Sequence, residues 1–114
     1  MEENKYSQIN RSLLSGMKKI SIENAELAKA FQGLHHAGIK AGSLDAATKE
    51  LMALACGIVT HCEGCIANHT ASAMRAGATK EAFYETLGVA VLMGGGTALT
   101  YAAIAVEAYQ EFTS

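Results

Sequence analysis

The chain has 114 residues, nine basic and eleven acidic, with a net charge of −2 and no basic block. That balance argues against nucleic acid and anionic membrane surfaces as partners. Half of the residues are apolar, many of them alanine, and there is neither proline nor tryptophan. This composition predicts one all-α domain over residues 1–114 with close helix–helix contacts, and the pattern along the chain divides it into a compact bundle of about six helices.

The opening MEENKYSQ is acidic and polar, unlike the basic-then-apolar layout of a signal peptide. Three cysteines, two of them in a Cys-x-x-Cys, do not make a secreted disulfide framework, so the expected compartment is the cytoplasm. Residues 4–19 read as a first helix with Ile9, Leu13, Leu14 and Met17 inward, ending or bending near Gly16. Ser21 is the expected N-cap of a second helix, with Asn24 where a capping box prefers Glu or Gln. That helix runs to about Ala37, with Leu27, Phe31 and Leu34 on one face, and Gly38 and Gly42 mark its end. His35 and His36 fall at its C-terminus, where a cation complements the helix dipole, and read as exposed residues outside the motif described below.

Ser43 is the expected cap of a third helix, from Leu44 or Asp45 to about Thr60, burying Leu51, Leu54, Ala55 and Ile58. Cys56 lies in this helix and reads as a small core hydrophobe. Glu50 shares a stripe with Leu54, Gly57 and His61. It is either a half-buried carboxylate suited to general acid–base work or a solvated one favoured by the first turns of its helix.

A fourth helix starts at the Cys62-x-x-Cys65 pair and runs to about Arg75, with Gly77 closing it. Cys62, Cys65 and His69 then stand at i, i+3 and i+7, on one helical face. The unpaired N–H groups and positive dipole end of a first helical turn favour a thiolate. A thiolate attacks disulfides and peroxides, and a second thiol three residues away can close on the oxidised product. His69 is placed to hold or shuttle the proton. His61, directly before Cys62, reads as a helix-end histidine, with tuning of Cys62 or substrate binding as its alternative.

Thr79 caps a fifth helix that packs through Phe83, Leu87, Val91 and Leu92. Gly94-Gly95-Gly96 then reads as a breaker before a sixth helix, from about Thr97 to Phe112. Residues 86–106, 21 in all, hold no charge, which meets the length criterion for a membrane span. The glycines at its centre, the flanking Glu85 and Glu107 and the lack of a basic flank argue instead for two short helices in a core or subunit contact, and against a membrane.

The order Glu50, eleven residues, Cys62-x-x-Cys65, three residues, His69 resembles the alkylhydroperoxidase D-like branch of the carboxymuconolactone decarboxylase family. The flanks AKAFQGLHHAG and HTASAMRAGATKEAFYETLGVAVLMGG fit as well, so the resemblance spans about residues 25–110. It implies an antioxidant peroxidase or disulfide oxidoreductase that needs no cofactor. Cys65 resembles the peroxide-attacking thiol and Cys62 the resolving one, while Glu50 and His69 match the proton-relay positions. It also implies a thioredoxin-like or lipoylated reductant protein as partner, and assembly into homotrimers or homohexamers. One departure is Gly64, where the best-studied members have a histidine. Its loss removes one proton carrier and favours plain dithiol–disulfide exchange.

Two other classes fit parts of the pattern. A metal-binding module would use Cys62, Cys65, His69 and His61, but zinc sites normally draw a second ligand pair from elsewhere in the chain. An acid–base decarboxylase of lactone acids follows from the family name and would not depend on the cysteine pair.

Overall fold

The computed structural model describes residues 4–114; the acidic start of the chain, Met1 to Glu3, lies outside them. Five helical elements follow in order: α1 (Lys5–Glu23), α2 (Ala25–Ile39), α3 (Ala46–Val59), α4 (Glu63–Arg75) and α5 (Lys80–Thr113). Among the described residues there is no strand.

α3, α4 and α5 form the packed body, and the N-terminal half of α1 crosses it. Leu54, Ile58, Ile66, Ala73 and Phe83 are fully buried there. The small side chains Ala90, Ala98, Ala102, Ala105 and Ala108 make the core stripe of α5, letting its backbone approach its neighbours closely. α5 is long and apolar enough, by length and composition, to cross a membrane. It is not one straight rod. Gly95 has φ 70° and ψ −149°, a conformation that glycine alone adopts readily, and redirects the helix there. The expected fifth and sixth helices are thus the two arms of α5. Gly94 and Gly96 keep helical backbone on either side of Gly95.

The N-terminal elements depart most from expectation. α1 passes through Gly16 to Glu23, and Asn24, not Ser21, caps α2 by accepting from the Leu27 N–H at 3.2 Å. α2 runs through Gly38 to Ile39. Asp45, not Ser43, caps α3, accepting from the Thr48 N–H at 2.8 Å, and those hydrogen bonds hold its carboxyl below the usual range. Leu14 and Met17 are exposed rather than inward, and so are Leu27, Phe31 and Leu34. α2 buries no residue at all. The physical reason is that α2 lies along α1 and the edge of α3, outside the packed body. Cys56 is likewise exposed, not a core hydrophobe, because it faces away from the side of α3 that carries Leu54 and Ile58. Leu92 is exposed too, whereas Phe83 and Leu87 are buried as expected.

Candidate functional site

The site is built along the seam between α3 and α4. α3 ends at Thr60, and the chain turns back through His61 so that Cys62 becomes the N-cap of α4. The sulfur of Cys62 accepts a hydrogen bond from the Cys65 N–H at 3.1 Å, one of the first-turn amides that have no partner within the helix. Cys62 and Cys65 are joined as a disulfide, and both are half-buried. The seam is tight at this end. A β-carbon added to Gly57 of α3 would lie 2.9 Å from the Cys65 β-carbon, so glycine is what lets α3 pass directly beside that cysteine.

One helical turn beyond Cys65, His69 meets Glu50 of α3, with Nδ1 and Oε1 2.7 Å apart. Only 19% of the His69 side chain and 13% of the Glu50 side chain is exposed, so Glu50 is a half-buried, paired carboxylate rather than a solvated one. An ionised carboxylate only accepts, so Nδ1 supplies the hydrogen; in the neutral ring, Nε2 is then the free acceptor. His69 also borders an open cleft of about 410 Å³, whose walls include Leu34, His35, Ile39, Met52 and Ala53. His35 thus sits at the edge of the site, which its helix-end position in the sequence did not indicate. Its neighbour His36 is exposed.

Gly64, between the cysteines, faces α1. A β-carbon there would meet Leu13 at 3.8 Å, so this position is overlain by an aliphatic side chain. His61 is exposed and stacked on Tyr101 of α5, at 4.7 Å between ring centroids and 19° between planes. The four residues of the metal-module alternative therefore do not converge. Among the described residues no group of three or more His, Cys, Asp or Glu side chains is placed to hold a metal ion. Tyr101 is the residue that sequence reasoning missed. Nothing local flags a tyrosine forty positions away.

Comparison with known proteins follows the same lines. Residues 25–108 match the sequence profile of the carboxymuconolactone decarboxylase family. An uncharacterized protein of Cupriavidus necator is 43% identical over 77 residues, covering 68% of each chain. The crystal structure of a carboxymuconolactone decarboxylase family protein from Legionella pneumophila superposes with a TM-score of 0.95 at 42% identity, over 98% of this chain and 100% of that one. A Thermotoga maritima protein of the same family, for which involvement in an antioxidative response has been suggested, superposes with a TM-score of 0.80 at 31% identity, over 96% and 91% of the two chains.

Proposed function

The chain belongs to the carboxymuconolactone decarboxylase family, and on that premise we propose that it is a cytoplasmic dithiol oxidoreductase that reduces hydroperoxides or disulfides through Cys65 and Cys62. The observation that carries this reading is the shared seam: a joined cysteine pair at a helix N-terminus, with a half-buried Glu50–His69 pair one turn further along.

In the reaction, the Cys65 thiolate attacks the terminal oxygen of the hydroperoxide. The O–O bond breaks, the sulfur becomes a sulfenic acid, and the alkoxide takes a proton and departs as an alcohol. His69 supplies that proton from Nε2, having first taken one up from solvent as the thiol ionised, while Glu50 holds the Nδ1–H in position and balances the charge of the protonated ring. The Cys62 thiol then attacks the sulfenic sulfur, water leaves, and the Cys62–Cys65 disulfide forms. Two electrons from a dithiol, carried by a thioredoxin-like or lipoylated protein, restore the reduced pair.

The test is turnover of cumene hydroperoxide with dihydrolipoamide as reductant. The proposal predicts turnover by the wild type and its loss in both Cys62→Ser and Cys65→Ser. An acid–base decarboxylase would instead turn over a lactone acid, undiminished in both variants, and that result would replace this reading.

A further inference from the structure

α3 and α4 end with the same backbone device but different residues. At the end of α4, Gly77 has φ 92°, its N–H donates to the Met74 carbonyl at 3.1 Å, and the next N–H, of Ala78, donates to the Ala73 carbonyl at 3.0 Å. At the end of α3 the pattern repeats: the His61 N–H donates to Ile58 at 3.2 Å and the Cys62 N–H to Gly57 at 2.9 Å. These are the two bonds of a Schellman motif, whose left-handed position glycine fills with least strain. Here His61 fills it, with φ 60°, the one non-glycine residue at positive φ among the described residues. Strain kept next to a reactive residue, where glycine would serve the backbone better, points to a role for the side chain.

That side chain has a defined partner. After the change of direction at Gly95, the second arm of α5 carries Tyr101 onto the His61 ring. Nearby, a β-carbon on Gly94 would lie 2.6 Å from that of Ala98 within α5 and at an ordinary contact distance, 3.6 Å, from a methyl of Val59 at the end of α3. The ring stack therefore ties the α3–α4 turn to α5, directly before the cysteine whose sulfur rests on the Cys65 N–H.

We propose that His61 is a positioning residue for Cys62, acting through its stack on Tyr101. The inference rests on the redox reading of the cysteine pair. In thiol–disulfide exchange a reductant thiolate attacks the Cys62 sulfur, the Cys62–Cys65 bond breaks, and Cys65 leaves as a thiolate. The reductant's second thiolate then attacks its own sulfur in the mixed disulfide, so that it leaves oxidised and Cys62 departs as a thiolate. The Cys65 amide stabilises that departing charge only while the turn keeps Cys62 at the helix N-terminus. The stack holds the turn in that register.

Two measurements on the full chain test this. One is the pH profile of iodoacetamide alkylation of Cys62 in a Cys65→Ser background, read by peptide mass so that Cys56 does not contribute. The other is the rate of reduction of the intact disulfide by dithiothreitol. His61→Gly and Tyr101→Leu are expected to move the alkylation midpoint to higher pH and to slow reduction roughly 3- to 10-fold. His61→Gly should melt no lower than the wild type, since glycine relieves the turn, and Tyr101→Phe, which keeps a ring, should match the wild type in both assays. A wild-type midpoint and rate in His61→Gly would overturn the proposal, as would Tyr101→Phe behaving like Tyr101→Leu. Neither assay uses a peroxide, so failure of the wild type to consume hydroperoxide would sink the peroxidase reading without touching this one.

Discussion

Glu50 and His69 come from different helices, nineteen positions apart, yet are held within 2.7 Å and largely shielded from water. A carboxylate in that setting orients the imidazole and offsets the charge it acquires when protonated. Glu50→Gln keeps the size and a hydrogen bond but not the charge. It is expected to lower hydroperoxide turnover on the order of 100-fold, while exchange with a small aromatic disulfide stays within about twofold, because a good leaving thiolate needs no proton. Equal losses in both assays would show that Glu50 supports the fold rather than the relay.

A second residue-scale consequence lies at Tyr6, which is 1% exposed and whose hydroxyl has no hydrogen-bond partner among the described residues. Burial, with Glu107, Glu63 and Glu111 adding to it, pushes its pKa from 10.0 up to about 12. The folded state thus favours the neutral phenol more than the unfolded state does. The associated stability is complete below about pH 10 and is lost as pH rises through 12, by at most about 3 kcal/mol. Chemical denaturation between pH 9 and 12 should show this loss in the wild type and a smaller one in Tyr6→Phe. Parallel curves would contradict the assignment.

At the scale of elements, the seam depends on Gly57. An alanine there would press a β-carbon to 2.9 Å from that of Cys65, so Gly57→Ala forces α3 and α4 apart. The expected cost is about 1–3 kcal/mol of stability, read as a fall in melting temperature, with slower oxidation of the cysteine pair. An unchanged melt would mean that the helices separate there without penalty.

This scale also separates what the sequence made legible from what it did not. Spacing and resemblance single out Glu50, Cys62, Cys65 and His69, because helical periodicity relates positions within one element and a short turn joins α3 to α4; the structure pairs Cys62 with Cys65 and Glu50 with His69. The caps at Asn24 and Asp45 were misplaced because Ser21 and Ser43 offer the same side-chain chemistry a few positions earlier. Leu27, Phe31 and Leu34 share one face of α2 by periodicity, yet the structure leaves that face exposed, because periodicity does not say against what a face packs. Its place outside the packed body is decided by the whole chain. The His61–Tyr101 stack was illegible for a related reason, since it depends on the direction α5 takes after Gly95. Three consecutive glycines announce a break without saying which one makes it.

At the scale of the whole molecule, the apolar surface is unevenly shared. Leu14, Met17, Ile20 and Ile22 on α1, Leu27, Phe31 and Leu34 on α2, and Val89, Leu92, Met93 and Leu99 on α5 are all exposed. Apolar surface on this scale is characteristic of an interaction site. We propose self-association through these faces, in the trimers or hexamers that the family resemblance implies. Sedimentation at micromolar concentration should then give three or six times the 11.9 kDa chain mass. A species at the mass of one chain would contradict it, and Leu34→Glu with Leu92→Glu should shift an assembly toward that mass.

The central claim is that the cysteine pair is a peroxide-reducing centre with Cys65 as its nucleophile. The most direct measurement is mass-resolved thiol counting on the reduced protein before and after one equivalent of cumene hydroperoxide. The account predicts that the wild type loses two thiols, at Cys62 and Cys65, and that Cys62→Ser accumulates a sulfenic acid on Cys65 that a dimedone probe captures. If both thiols survive the peroxide, or if the trapped sulfenic acid sits on Cys62 in the Cys65→Ser variant and never on Cys65, the account is wrong.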